Sequence, residues 1–251
     1  MNIKKTKNTL TSSNITILFT LIYFILFEFA WINQSVIPKP SMLIESFISL
    51  ISEYHLFDAF FETTAVLFPA IFLGVVLFEI FNKIILYVIF NLRGIINISS
   101  PFKYFPIIFF ALLFNSVFEH SLWAEFIFII LLIFGNLITT VCEAKNSIAL
   151  EYIDSAKSLG VSNGKILSKV VWEHIKPKFY GNLITIHKQT WIAVIVYEFI
   201  GSTNGIGSVY RLAYDYNDLF AIISLGIFTS IIIVLVNSIL KFFIAKLVFW
   251  E

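Results

Sequence analysis

Cysteine, histidine and charged residues are scarce in this chain of 251 residues. The single cysteine, Cys142, excludes a disulfide framework and any cluster of cysteine ligands for a metal. The four histidines are scattered along the chain at spacings that fit no metal site. Charged residues make up 13% of the chain and leave a net charge of +1, so the basic surplus of a nucleic-acid-binding protein is missing.

Motifs for catalysis are absent as well. No phosphate loop of the form G-x-x-x-x-G-K-[ST] occurs, so the chain has no recognisable ATP site of its own. The chain also lacks H-E-x-x-H, G-x-S-x-G and any pair of aspartates within an apolar stretch. We therefore expect a protein that is not an enzyme, binds no cofactor and holds no metal.

The chain is rich in apolar residues instead. Hydrophobic residues reach 59% and the mean hydropathy is +0.90, whereas soluble domains are about half apolar and about a quarter charged. This surplus predicts an all-α, polytopic membrane protein. A helix needs about 20 mostly apolar residues to cross a bilayer, and about six such spans are present. The predicted spans are Ile15 to Ile32, about Glu62 to Phe81, about Tyr104 to Phe118, Trp123 to Cys142, about Tyr180 to Ile200 and Leu219 to Phe243.

The third span closes a longer apolar stretch, Ile84 to Phe118, which charged residues and prolines interrupt. Two crossings within this stretch are an alternative and would make seven spans. The distribution of basic residues favours six, because Lys and Arg concentrate in cytoplasmic loops. With six spans and the N-terminus inside, all of the 17 basic residues except Lys39, Lys188 and Arg211 fall in cytoplasmic segments.

Both termini are therefore predicted to be cytoplasmic. Residues 1–14 form an N-terminal tail, and residues 15–251 form a single transmembrane domain. The one long polar segment of this domain, at about residues 143–179, is predicted to lie in the cytoplasm.

This cytoplasmic segment has the pattern of two short helices. Its apolar residues recur at helical spacing between Ile148 and Leu159, which predicts an amphipathic helix. Gly160 follows, and a glycine commonly ends a helix in the left-handed conformation. Ser162 can begin a second helix, and Pro177 ends it because the residue before a proline resists the helical region. Periodicity alone leaves two interpretations: an amphipathic hairpin on the membrane surface, or a docking element for a soluble partner.

The spacing within this segment resembles a family pattern. Asp154-Ser155-Ala156, three residues, Gly160, nine residues and Val170 are similar to the EAA loop of the binding-protein-dependent inner-membrane permeases of ABC importers. One departure is Trp172, which stands where the family pattern has leucine. Further stretches resemble the nitrate/sulfonate/taurine branch of that family, in the same order along the chain. They are Ile37 to Ser41, Trp191 to Gly207 and Asp218 to Phe228.

The resemblance implies a type I ABC importer permease in the cytoplasmic (inner) membrane of a bacterium. The implied partners are cytoplasmic ABC ATPases that hold ATP and Mg²⁺, an external substrate-binding protein, a second copy of the permease and the lipid bilayer, with no nucleic acid. The implied solute is small and polar or anionic. The residues implied to couple the permease to its ATPases are Asp154, Ser155, Ala156, Leu159, Gly160 and Val170.

Ionisable residues within spans are candidate sites, since a charge in a bilayer is costly. Lys188 and His187 lie in the fifth span and can line the path of an anion; alternatively, Lys188 extends to the interface and His187 packs between helices. Glu198 matches a glutamate of the family and either lines the path or holds the next segment by hydrogen bonds. Gly205 and Gly207 are expected to form a tight turn at the outer mouth. The mixed-charge outer loop expected next contains Arg211, Asp215 and Asp218, and it either is solvated or meets a substrate-binding protein.

A proton-coupled secondary transporter that uses Lys188, His187 or Glu198 is the alternative function. Such a transporter would work without an ATPase. The absence of an internal repeat and the helical cytoplasmic segment argue against it.

Overall fold

The computed structural model describes residues 3–29, 38–91, 106–118, 121–145 and 147–247, and these residues form helices and no strand. The predicted all-α class is therefore confirmed. In chain order the helices are α1 (Ile3–Phe29), α2 (Pro40–Ser52), α3 (Leu56–Asn91), α4 (Ile107–Val117), α5 (Leu122–Lys145), α6 (Leu150–Ser158), α7 (Asn163–Gly201), α8 (Gly205–Asp215) and α9 (Leu219–Leu247).

Four helices of the described part of the chain are long and apolar enough to cross a membrane: α3, α5, α7 and α9. They coincide with the second, fourth, fifth and sixth predicted spans. The first and third predicted spans coincide with the apolar helices α1 and α4, although Ala30 to Ile32 and Tyr104 to Phe105 lie outside the described residues. Within the stretch Ile84 to Phe118, residues up to Asn91 extend α3, and residues 92–105 are not described.

Helix α7 corrects one sequence prediction. Pro177 was expected to end a short cytoplasmic helix, yet the helix continues through it from Asn163 to Gly201, with a π-helical stretch at Ile166–Val171. A proline inside a helix costs about 3 kcal/mol through one lost hydrogen bond and a steric clash. Burial of Trp172 and Phe179 on either side of the proline offsets this cost, because each large apolar side chain contributes about 1.5–3 kcal/mol.

The chain divides into two compact units. One unit contains Met1–His55 and Ala213–Phe228, and the other contains Leu56–Leu212 and Thr229–Glu251. The prediction of a single transmembrane domain stays a prediction.

Polar contacts join the elements of the first unit. The hydroxyl of Tyr54 donates a hydrogen bond to Oδ2 of Asp218 (3.2 Å), and Oδ1 of the same carboxylate accepts the backbone N–H of Ala221 (2.9 Å). Partial burial, followed by the charge of Asp218, raises the pKa of the Tyr54 hydroxyl, so the hydroxyl stays a donor. Asp218, in the loop between α8 and α9, thus satisfies the first turn of α9.

Aromatic side chains form the core of the second unit. The ring of Phe78 on α3 lies 6.0 Å from Phe134 on α5, and 6.3 Å and 5.2 Å from Trp172 and Phe179 on α7. Trp172 is 4% exposed, so it serves as a core residue at the position where the family pattern has leucine. These contacts attach the N-terminal half of α7 to α3 and α5.

Candidate functional site

The turn after α6 has the geometry expected of a helix that ends at glycine. Gly160 has φ +73°, in the left-handed region that glycine adopts without strain. Its N–H donates to the carbonyl of Lys157 (2.9 Å), and the N–H of Val161 donates to the carbonyl of Ala156 (3.1 Å). This pair of hydrogen bonds is the Schellman arrangement, which gives the chain a defined bend at the end of α6.

The apolar face of α6 is not covered by the described part of the chain. Leu159 is 82% exposed and Tyr152 is 63% exposed, while Ile153 and Ala156 are only half-buried. Asp154 and Ser155 are also exposed, and Val170 in the π-helical stretch is half-buried. The residues expected to couple to an ATPase that lie on α6 and in the turn after it are therefore accessible. The turn leads to α7, which is anchored through the buried Ile166 and Val171.

At the opposite end of α7, Glu198 binds the start of α8. Its carboxylate accepts the N–H of Gly207 (2.7 Å) and the hydroxyl of Thr63 (2.7 Å), while Thr63 Oγ1 accepts the N–H of Ile206 (2.8 Å). Glu198 is 2% exposed. The first N–H groups of a helix have no partner within the helix, and a nearby carboxylate favours the positive end of the helix dipole. Glu198 and Thr63 therefore connect α7, α3 and α8.

Two glycines allow this close packing. Gly205 has φ +85°, and its N–H donates to Oε2 of Glu62 (3.0 Å). A Cβ on Gly207 would overlap the carbonyl oxygen of Ile195 and lie 2.6 Å from the amide nitrogen of Phe199. The turn expected at this point is present at Gly205, whereas Gly207 lies inside α8.

The segment after Gly207 is a helix rather than the expected mixed-charge loop. Arg211 on α8 donates from Nη2 to the carbonyl of Ser202 (2.6 Å), which follows the last residue of α7. A cation near a helix C-terminus is favourable because the carbonyl groups there carry partial negative charge. The charge of Arg211 thus holds α8 against the end of α7.

A family model described as binding-protein-dependent transport system inner membrane component matches residues 9–249. The chain belongs to this family. The resemblance drawn from the polar segment at about residues 143–179 is thereby confirmed at the level of the family of ABC importer permeases. The branch within the family stays a prediction.

A solved transporter has a similar fold to this permease. A chain of the MetNI methionine ABC transporter, in inward-facing conformations, matches with a TM-score of 0.59 and 17% identity. The match covers 76% of the permease and 94% of that chain. At this identity the likeness shows the fold alone, which is that of a type I ABC importer permease. No curated protein sequence matches the permease.

His187 of the permease has both ring nitrogens engaged within the protein. Its Nε2 accepts the indole N–H of Trp191 (2.9 Å), and its Nδ1 lies 3.0 Å from Oδ1 of Asn237 on α9. Because the indole can only donate, Nε2 carries no proton, and the proton on Nδ1 is donated to Asn237. The ring is 1% exposed, so its neutral form holds α7 against α9.

Lys188 points in a different direction from His187. Its side chain is exposed and has no hydrogen bond or ion pair with any described residue. Its neighbour Gln189 lines a cavity, whereas Lys188 does not. A path role for Lys188 stays a prediction.

The cavity lies between α4, α5 and α7 and has a volume of about 650 Å³. Its polar lining was missed by sequence reasoning, which considered only ionisable residues within spans. A signal was present, because Asn136, Thr140 and Glu143 recur at helical spacing within an apolar helix. Thr63, the partner of Glu198, was missed as well, and no local signal identifies it.

Proposed function

We propose that the permease is the membrane subunit of an ATP-driven importer and that α6 docks on a cytoplasmic ABC ATPase. The uncovered apolar face of α6 is the observation that supports this proposal. Exposed apolar residues that are grouped on one rigid element are typical of a protein interface. The proposed assembly contains two permeases, two ATPases that hold ATP and Mg²⁺, and an external binding protein in a bacterial cytoplasmic membrane. The proposed solute is a small polar compound.

The continuity of α7 explains how docking can act on the membrane part. The 39 residues of α7 extend for about 58 Å, from the turn beside α6 to the contact with α8. Displacement of the cytoplasmic end by an ATPase would therefore move a stiff rod rather than a flexible loop. At the other end, Glu198 passes this motion to α3 and α8 through its hydrogen bonds. Alternating access would follow when two such permeases move against each other.

Leu159→Glu is expected to reduce co-purification with a candidate ATPase encoded beside the permease by at least about tenfold. A central apolar contact at a protein interface is worth about 2 kcal/mol or more, and 1.4 kcal/mol corresponds to tenfold in affinity. The fold should tolerate the change because Leu159 is 82% exposed. Tyr216→Glu is the matched control, since Tyr216 is 73% exposed and lies between α8 and α9. Equal co-purification of wild type and Leu159→Glu would contradict the docking proposal.

Gly160→Val is expected to abolish ATP hydrolysis that depends on the permease in liposomes, whereas Gly160→Asn is expected to retain most of it. Neither side chain meets an obstacle, because no atom lies within 4 Å of a Cβ at this position. The difference arises from the left-handed backbone, which asparagine tolerates and a β-branched residue does not. Equal activity of the two variants would show that the bend is not required.

Solute uptake into proteoliposomes with and without the ATPase separates this proposal from the proton-coupled alternative. Uptake is expected only when the ATPase and ATP are present. Uptake by the permease alone, driven by a pH gradient, would overturn the proposal.

A further inference from the structure

Glu125 is a buried carboxylate near the N-terminal end of α5. The residue is 3% exposed, and its Oε1 has no hydrogen-bond partner among the described residues. The first turn of α5 is capped by another residue, because Oγ of Ser121 accepts the N–H of Ala124 (3.2 Å). A buried charge without a partner is costly, and a carboxylate in such a place is usually neutral instead.

The packing of α5 on α7 places Glu125 near the C-terminal end of α7. The rings of Phe128 and Tyr197 are stacked, with their centroids 5.0 Å apart. Farther from this end, the amide NH₂ of Asn182 donates to the hydroxyl oxygen of Thr140. The two helices are therefore antiparallel, and Glu125, about one turn before Phe128, lies level with the residues that follow Tyr197.

Two more carboxylates lie in this region. Glu198 directly follows Tyr197. Glu62 precedes Thr63, whose hydroxyl donates to Glu198 (2.7 Å). The charge of Glu62 acts on both Glu125 and Glu198. The charge of Glu125 acts in turn on Glu198 and on the Tyr197 hydroxyl, which is also buried without a hydrogen-bond partner among the described residues. Neighbouring carboxylates that are shielded from water cannot all be ionised, because their charges repel strongly.

Hydrogen bonding distinguishes the three carboxylates. Glu198 accepts a backbone N–H of α8 and the hydroxyl of Thr63, and donors of this kind favour the charged form of a carboxylate. Glu62 accepts another backbone N–H of α8 and is only half-buried. Glu125 is buried and its Oε1 receives no such donor from the described chain, so it is the carboxylate best suited to hold a proton.

No ion pair links Glu125 to a cation of the described chain. The groups that interact with it electrostatically are two carboxylates and a hydroxyl, those of Glu62, Glu198 and Tyr197. Helix α4 has no ionisable residue. Arg211 on α8 donates to the carbonyl of Ser202 (2.6 Å). Glu119 and His120, which precede α5 in the sequence, lie outside the described residues.

We propose that Glu125 binds a proton and that this proton lets α3, α5 and α7 pack closely at this end of the helices. With the proton bound, Glu198 keeps its charge and its hydrogen bonds to α8 without a second buried charge beside it. Without the proton, the two carboxylates would repel each other and loosen the contact. The protein thus has a pH-sensitive contact, which goes beyond the transport function proposed above.

Infrared spectroscopy detects this proton directly. The full-length permease is measured in a maltoside detergent, which has no carbonyl group of its own. A C=O stretch of a protonated carboxyl is expected at about pH 7, where an ordinary glutamate has lost its proton. The band is expected to disappear in Glu125→Gln and to remain in the matched control Glu151→Gln, since Glu151 is exposed on α6. A wild-type spectrum without the band, or a band unchanged in Glu125→Gln, would overturn the proposal.

Glu125→Asp assigns the proton to one residue and covers the case in which Glu125→Gln does not fold. This variant keeps a carboxyl group on a shorter side chain. The band is expected to shift, because the C=O frequency depends on the side chain that carries it. A band that keeps its position in Glu125→Asp would place the proton on a neighbouring carboxylate and overturn the assignment.

Thermal unfolding tests whether packing requires the proton. The unfolded chain exposes Glu125 to water and binds fewer protons there than the folded chain, so stability is lost as the pH rises. From about pH 6 to about pH 9, the Tm of the wild type is expected to fall at least about 3 °C more than that of Glu125→Gln. The variant resembles the neutral acid in shape and cannot ionise. Equal changes in Tm would contradict the requirement for the proton.

Two other ways to neutralise Glu125 predict different results. An imidazolium ion at His120 would leave the wild type without the infrared band, and His120→Gln would then lower the Tm. A bound metal cation would make the Tm depend on Na⁺ when choline replaces it at constant ionic strength. The described residues include no group of three or more acidic, histidine or cysteine side chains that could hold a metal ion. A Na⁺ effect that Glu125→Gln removes would overturn the proposal.

This proposal and the importer mechanism fail separately. The infrared and unfolding measurements need neither an ATPase nor a solute. A permease that co-purifies with its ATPase but lacks the infrared band would overturn the proton proposal alone. A permease that has the band but binds no ATPase would overturn the importer mechanism alone.

Discussion

Glu198→Ala is expected to lower the stability of the permease by about 3 kcal/mol or more. The change leaves the N–H of Gly207 and the hydroxyl of Thr63 without their acceptor in a region closed to water. Each buried polar group that loses its partner costs about 1–3 kcal/mol. For a chain of this length, 1 kcal/mol corresponds to about 2–4 °C in Tm, so a loss of about 6–12 °C is expected in detergent or nanodiscs.

Two variants make this result specific. Glu198→Gln keeps one acceptor oxygen and is expected to cost about half as much as Glu198→Ala. Glu62→Gln changes a carboxylate that binds the same helix end, through the N–H of Gly205, but Glu62 is only half-buried. We expect its effect to stay within about 1 kcal/mol. A Glu198→Ala variant as stable as wild type would show that the contact among α3, α7 and α8 is not structural.

Gly207→Ala is expected to destabilise the permease by about 3 kcal/mol or more, although it adds a single methyl group. The new Cβ would overlap the carbonyl oxygen of Ile195 and approach the Cβ of Glu198 and the amide nitrogen of Phe199. Two of these three atoms belong to the backbone of α7 and cannot rotate away. Overpacking of this kind costs about 1–3 kcal/mol, and separation of α8 from α7 would add the loss of the hydrogen bond to Glu198.

Gly181→Ala is the matched control for Gly207→Ala. Gly181 also lies in a helix, but no atom lies within 4 Å of its Cβ position. Alanine in place of glycine within a helix stabilises by about 0.5–1 kcal/mol when space is available. The same chemical change is therefore expected to have opposite signs at the two positions, which unfolding curves of both variants would show. A loss of stability of equal size at both positions would contradict the packing argument.

Local features of the sequence were sufficient to predict the apolar helices and the turn after α6. Hydropathy predicts a span because the preference of each apolar residue for the bilayer does not depend on which residues lie near it in the folded protein. Gly160 is similarly local, since a left-handed residue after an amphipathic run ends a helix whatever surrounds it. The family followed from the spacing of these same residues and from the match over residues 9–249.

Predictions that depended on distant partners were incomplete or wrong. Pro177 was expected to end a helix, but packing of Trp172 and Phe179 on Phe78 carries α7 through it. The segment with Arg211 was expected to be a loop, but hydrogen bonds to α7 make it a helix. Both errors have one cause. Local helix and turn propensities contribute only a few kcal/mol, and the tertiary contacts contribute more.

The sequence by itself determined the helical class, the membrane spans, the family and the bend at Gly160, because hydropathy, spacing and glycine conformation act over short distances. The tertiary structure alone decided which polar groups meet. It joined Glu198 to Thr63, which lie 135 positions apart, and engaged both nitrogens of His187. It also brought the polar residues of α5 and α7 to one cavity, since a buried polar group must find its partner wherever the packed helices place one.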